Sequence, residues 1–182
     1  MIAYLLKAIV ILIPIIMMIL MVCGCLYIYE RFTKEDEKVN KYIEVILTRS
    51  SGENISLADR TSVANDSNAD FFISLHCNYY EKDTQIAVLE CYYNNSNETE
   101  SKEYAESIID AVSLSEDIET RYAKTEGYYV LRNTQMPAVL VEMGFLSNYS
   151  ESQKLLDDDY QESLAQRIAE GISNEIKRGE NL

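Results

Sequence analysis

The 182-residue sequence predicts an α/β domain: a mostly parallel twisted sheet with flanking helices, preceded by one N-terminal transmembrane helix. Three observations predict it. Apolar, β-branched runs of strand length alternate with amphipathic stretches of helical period, as expected when helices cover the faces of a sheet. Residues 8–29 form one uncharged run, AIVILIPIIMMILMVCGCLYIY. Apolar residues make up 47% and charged residues 25%, with 2 Pro and 6 Gly. That balance suits a packed core and excludes collagen-like or flexible-linker polymers.

The uncharged run is 22 residues long. At about 1.5 Å per residue it just exceeds a hydrocarbon core of about 30 Å. Segment 1–29 therefore reads as a membrane anchor or a cleaved signal. Val22-Cys23-Gly24-Cys25 lies close to the box at which bacterial lipoprotein signals are cut and a cysteine, here Cys25, is lipidated. Lys7 precedes the run, and Arg31, Lys34, Lys38 and Lys41 follow it. The positive-inside bias taken alone points the remainder to the cytoplasm, but it weakens ahead of a long domain.

Residues 30–40, ERFTKEDEKVN, read as a charged stalk, and 41–178 as the domain. Residues 41–49 are β-branched and predict a strand. Residues 54–67 carry Leu57, Ala58 and Val63 at helical offsets, with Ser56 as a candidate cap. The nearly continuous apolar run at 70–78, DFFISLHCN, predicts a strand buried on both faces. Strands are also predicted at 85–93, 128–133 and 137–144. Helices are predicted at 100–112, through Tyr104, Ile108 and Val112, at 150–154, and at 161–177, through Leu164, Ile168, Ile172 and Ile176.

Net charge is −14, from 30 acids against 16 bases. That excludes nucleic acid as an expected partner, because phosphate binding needs a basic face. Cys23 and Cys25 fall in the apolar run, and Cys77 and Cys91 remain for the domain. Two thiols do not make a disulfide scaffold; they pair or stay buried as small apolar residues. Two positions carry chemistry. His76, the single His, stands at the C-terminal end of a buried strand, and Glu142 lies inside another, between Val141 and Met143. In open α/β sheets ligands gather beyond the carboxyl ends of strands. A carboxylate in an apolar strand is costly unless it has a partner or a task. A hydrogen-bonded imidazole and a water-facing or salt-bridged edge glutamate are the plain alternatives. Paired tyrosines at 79–80, 92–93 and 128–129 either cover a core edge or offer faces to sugar rings.

LTR at 47–49, LADRTSVAN at 57–65, ADFFISLHCN at 69–78, YYVLRNTQMPAVLVEMGFLSN at 128–148 and LAQRIAEGI at 164–172 follow one another in a known order. In these blocks the sequence resembles the zinc-dependent N-acetylmuramoyl-L-alanine amidases of the amidase-3 type, which cut bacterial peptidoglycan. The resemblance implies an amidase-3-like fold. It also implies hydrolysis of the amide between the lactyl group of muramic acid and L-alanine of the stem peptide, on the cell-wall side of the membrane. His76 matches a zinc ligand of the family, and Glu142 matches its catalytic carboxylate.

The resemblance also implies an opening strand that ends in an Asp-Pro-Gly-His-Gly-Gly type block, which supplies a second His ligand, and a Glu ligand on the next helix. No such block precedes Leu47. The first strand therefore reads as missing and the Zn2+ site as incomplete. Glu37 lies too close to Thr48 for a helix to intervene, and Cys77, next to His76, faces the other side of its strand. The expected function is that of a membrane-tethered amidase-family hydrolase acting on peptidoglycan. The alternatives are an inactive wall-binding or regulatory module and a truncated remnant.

Overall fold

The computed structural model describes residues 6–11, 43–49, 54–94 and 98–180. Its six strands are β1 Leu6–Ile11, β2 Ile43–Leu47, β3 Phe71–Asn78, β4 Glu90–Tyr93, β5 Lys124–Thr125 and β6 Ala138–Phe145. They form one sheet in the order β2-β1-β3-β6-β4-β5. The pairings are parallel except that of β4 with β6. The sheet is thus mixed, with an antiparallel insertion on the β6 side.

Alternation along β3 builds both faces. Phe71, Ile73 and Leu75 point to one side, with Val139 and Val141 of β6 and Cys91 and Tyr93 of β4. Helices α2, Glu98–Val112, and α5, Asp158–Glu180, cover that face through Ala105, Ile108, Val112, Leu164, Ile168 and Ile172. Each of the Ile, Leu and Val side chains among them contributes roughly 1.5–3 kcal/mol by leaving water. Gly171 permits the close approach of the two helices: a Cβ there would stand 2.5 Å from Ile108 Cα. The opposite face collects Phe72, Ala138, Leu140 and Tyr92 under helices α1, Leu57–Asp66, and α3, Tyr129–Asn133. A short helix α4, Tyr149–Lys154, follows β6.

The expectation of a missing first strand is overturned. Leu6–Ile11 lies between β2 and β3 and pairs in parallel with both. Its residues 8–11 open the run expected to form a transmembrane helix, so that helix does not begin there. Among the described residues no helix is long and apolar enough to cross a membrane. The rest of the run, Cys25 and the stalk lie outside the described residues.

Three smaller expectations change. Only Glu90–Tyr93 of the strand expected at 85–93 is strand, with Leu89 making an isolated bridge to Thr120. Residues 129–133 are helical rather than extended. Their carbonyls are closed by side chains that follow: Asn133 Nδ2 donates to the Tyr129 carbonyl at 2.8 Å and Thr134 Oγ1 to that of Val130 at 3.0 Å. Strand β5 was not expected. Cys77 and Cys91 are both free thiols. Burial pushes Cys77 up to about 12, and Cys91 is raised further by the same cause.

Candidate active site

Parallel pairing of β3 and β6 sets His76 opposite Glu142. Immediately beyond them the register breaks: Asn78 pairs with Phe145, so β6 carries one extra residue. This bulge interrupts the ladder just after Glu142, and bulges often re-aim a functional side chain. Gly144 sits in it at φ +154°, a conformation that L side chains rarely adopt, and a Cβ there would lie 2.8 Å from Glu151 Oε2. The Leu146 N–H donates to the Asn78 carbonyl at 2.8 Å and resumes the connection.

Ser74, two residues before His76 and on the same face, holds the imidazole: Ser74 Oγ lies 2.8 Å from His76 Nε2. Ser74 is wholly buried, which rules it out as a nucleophile open to substrate. His76 Nδ1 faces Glu142 Oε1 at 4.0 Å, too long for a hydrogen bond. Burial, and after it the charge of Arg60, push His76 down to about 3. Burial, and after it the charge of Glu90, push Glu142 up to about 7. Between those values both groups are neutral, so the pair is not an ion pair. Glu142 Oε2 is buried without a hydrogen-bond partner, an arrangement that a neutral carboxyl tolerates better than a carboxylate.

Both side chains line a cavity of about 410 Å³, together with Ile55, Leu57, Arg60, Tyr128 and Tyr129. The local sequence builds its rim. Ser56 Oγ accepts from the Asp59 N–H at 3.1 Å and starts α1 there. Arg60 Nε donates to the Ile55 carbonyl at 3.0 Å. Asn65 ties α1 to the end of α3, donating to the Asn133 carbonyl at 2.9 Å and accepting from the Gln135 N–H at 3.0 Å. That tie places Tyr128 and Tyr129 at the mouth, where they are 39% and 38% exposed. The tyrosine pairs divide three ways: 128–129 at the cavity, 92–93 buried, and 79–80 exposed.

Sequence reasoning missed Glu90. It is buried, and β4 sets it directly opposite Glu142, so His76, Glu142 and Glu90 form a row across three neighbouring strands. The signal was the same as at position 142, a lone carboxylate in an apolar strand, VLECYY.

The donors present fit a zinc ion only in part. His76 has Nε2 held by Ser74, as the outer nitrogen of a metal-ligating imidazole is held by a polar partner, and Nδ1 turned toward Glu142 at 4.0 Å. Catalytic zinc needs about three protein ligands. Among the described residues no three His, Cys, Asp or Glu side chains form such a group, and the chain has no second His. The described residues alone do not make a complete zinc site.

A sequence profile of the N-acetylmuramoyl-L-alanine amidase family matches residues 32–174. The sporulation-specific N-acetylmuramoyl-L-alanine amidase of Bacillus subtilis (strain 168) is 34% identical over 135 residues, 73% of this chain and 51% of that protein. The chain spans about half the length of the curated relatives it matches. The fold is shared with the crystal structure of an N-acetylmuramoyl-L-alanine amidase from Clostridium difficile 630, at TM-score 0.84 and 25% identity over 94% of this chain and 97% of that one. It is shared also with the catalytic domain of CwlV from Bacillus (Paenibacillus) polymyxa var. colistinus, at TM-score 0.79 and 29% identity over 94% of this chain and 99% of that one.

Proposed function

Because the chain belongs to the N-acetylmuramoyl-L-alanine amidase family of the amidase-3 type, we propose that it hydrolyses the amide between the muramoyl lactyl group and L-alanine in bacterial peptidoglycan. The observation that carries this reading is the facing pair His76 and Glu142 at the ends of adjacent parallel strands, open to one cavity. Glu142 is the proton-transfer residue. A carboxyl raised to about 7 exists in both protonation states near neutral pH, so it is suited to take a proton from an attacking water and return it to the leaving amine. Ser74 fixes the ring of His76, and Arg60 and burial keep that ring neutral, so that Nδ1 remains a lone-pair donor toward the reaction centre. Tyr128 and Tyr129 present aromatic faces suited to the sugar side. This reading puts the domain on the cell-wall side of the cytoplasmic membrane, where its substrate lies.

The test is digestion of purified peptidoglycan by the full chain with Zn2+ supplied. The expected products are intact glycan and peptides that begin with a free L-alanine amine, identified by mass. Binding to peptidoglycan with no release of such peptides would replace hydrolysis by the wall-binding reading.

A further inference from the structure

Tyr128 stands at the cavity with its backbone and its ring held from different directions. Its carbonyl accepts from the Leu131 and Arg132 N–H groups at 3.1 and 3.0 Å, so helix α3 fixes the backbone. Its ring meets that of Tyr92 edge-on, with centroids 5.3 Å apart. Such a contact leaves at least one face of Tyr128 open. Tyr92 is fixed in turn: its hydroxyl donates to Glu90 Oε2 at 2.8 Å.

Glu90 also grips the segment that delivers Tyr128. Residues 119–127 run from the sheet edge to Tyr128, and their main chain is attached without it. The Leu89 N–H donates to the Glu119 carbonyl at 2.8 Å, the Arg121 N–H donates to the Leu89 carbonyl at 3.0 Å, and β5 pairs with Tyr92 and Tyr93. To these bonds Glu90 adds side-chain ones, from Arg121 Nη1 at 2.7 Å and Lys124 Nζ at 3.9 Å. Both cations face Glu90, and neither lines the cavity.

Attachment alone does not account for a carboxylate at this position. A buried charge pair often gives no stability over apolar residues of similar volume, and the main-chain bonds already hold the segment. What Glu90 adds is direction. Alternation along β4 puts Glu90 and Tyr92 on the face that carries His76 and Glu142, while Cys91 and Tyr93 pack on the other. One buried side chain thus ties Tyr92, against the Tyr128 ring, to two points of the segment that leads into Tyr128.

We propose that Glu90 is a positioning residue for the substrate: acting through Tyr92 and through Arg121 and Lys124, it sets the Tyr128 ring against a sugar bound at the cavity mouth. That this sugar is the muramoyl residue of peptidoglycan rests on the amidase reading. The dependence of Tyr128 on Tyr92 and Glu90 does not.

The experiment compares two ligands by calorimetry, with the full chain carrying Glu142→Gln to stop turnover and with Zn2+ supplied. One is an N-acetylmuramoyl-peptide. The other is the same peptide acylated by lactate, which keeps the amide and lacks the sugar. The first is expected to bind about tenfold more tightly, as for one aromatic contact. Tyr128→Ala should abolish that preference. Tyr92→Phe keeps the ring and removes its bond to Glu90; it should lower the preference about threefold and leave affinity for the lactyl-peptide unchanged. Added to Tyr128→Ala it should change nothing further, because both act on one contact. Glu90→Ala should lower the preference more than Glu90→Gln, which keeps an acceptor for the Tyr92 hydroxyl. Tyr92→Phe serves alone if the Glu90 variants do not fold. Binding of neither ligand, equal binding of both, a preference that survives Tyr92→Phe intact, or variants that weaken both ligands alike would overturn the proposal; a merely structural Glu90 predicts the last. Peptide release by the same chains with Glu142 restored tests the amidase reading separately. A Tyr92-dependent sugar preference without release keeps the positioning role and removes the hydrolase. Release without a sugar preference does the reverse.

Discussion

Glu142 is buried with one oxygen unpartnered, and its carboxyl is raised to about 7 by burial and by Glu90. The consequence for stability has a definite sign. In the unfolded chain this carboxyl loses its proton near 4.5, but in the folded chain it keeps it until about 7. The folded state therefore binds more protons across that window, and stability falls as pH rises through it. The difference corresponds to roughly 3 kcal/mol. Glu142→Gln, neutral at every pH, should melt above wild type at pH 7.5 and converge with it near pH 4.5, in thermal melts with a chelator present. Parallel curves at all pH values would contradict the raised carboxyl. At this scale the sequence was informative for His76 and Glu142, because a polar residue within an apolar strand is conspicuous. Glu90 was equally conspicuous. Its importance depends on the antiparallel register of β4 against β6, which no local pattern encodes.

At the scale of elements, most boundaries were legible: β3, β6, α1, α2 and α5 fall where period and capping place them. Three elements were not, the two-residue β5 among them. Residues 129–133 look extended because Tyr and Val favour strands, and the side-chain bonds of Asn133 and Thr134 decide for helix instead. Strand β1 was hidden because an inner parallel strand, flanked on both sides, reads as a continuous apolar run, as a membrane span also does. Removing residues 1–29 deletes β1 and leaves β2 and β3 without their shared neighbour. The truncated chain, 30–182, should lose the cooperative melt that the full chain shows in the same mild detergent, by circular dichroism. An unchanged melt would mean that β1 is no part of the folded sheet. The α2–α5 contact has its own test. Gly171→Ala forces a methyl group against Ile108 and the Ser107 carbonyl. Overpacking of this kind costs about 1–3 kcal/mol, to be read as a lower urea midpoint. No change would mean that the helices are not held in close contact there.

At the scale of the whole molecule, the site arises where three strands of different origin meet. β3 brings His76, β6 brings Glu142 just before its bulge, and the reversed β4 brings Glu90 alongside. The two helices α1 and α3, joined through Asn65, close the cavity over His76 and Glu142. The family was readable from the blocks around His76 and Glu142, and its match extends over residues 32–174.

The central claim is that the row at the strand ends performs amide hydrolysis, with Glu142 moving the proton. The most direct measurement is the rate at which wild type and Glu142→Gln release new L-alanine amines from muramoyl-peptide, at matched protein and Zn2+ concentration. The account predicts turnover by wild type and a loss of about 10²–10⁴-fold in the variant, with substrate binding retained. Equal rates in the two proteins, or no turnover by wild type, would contradict it.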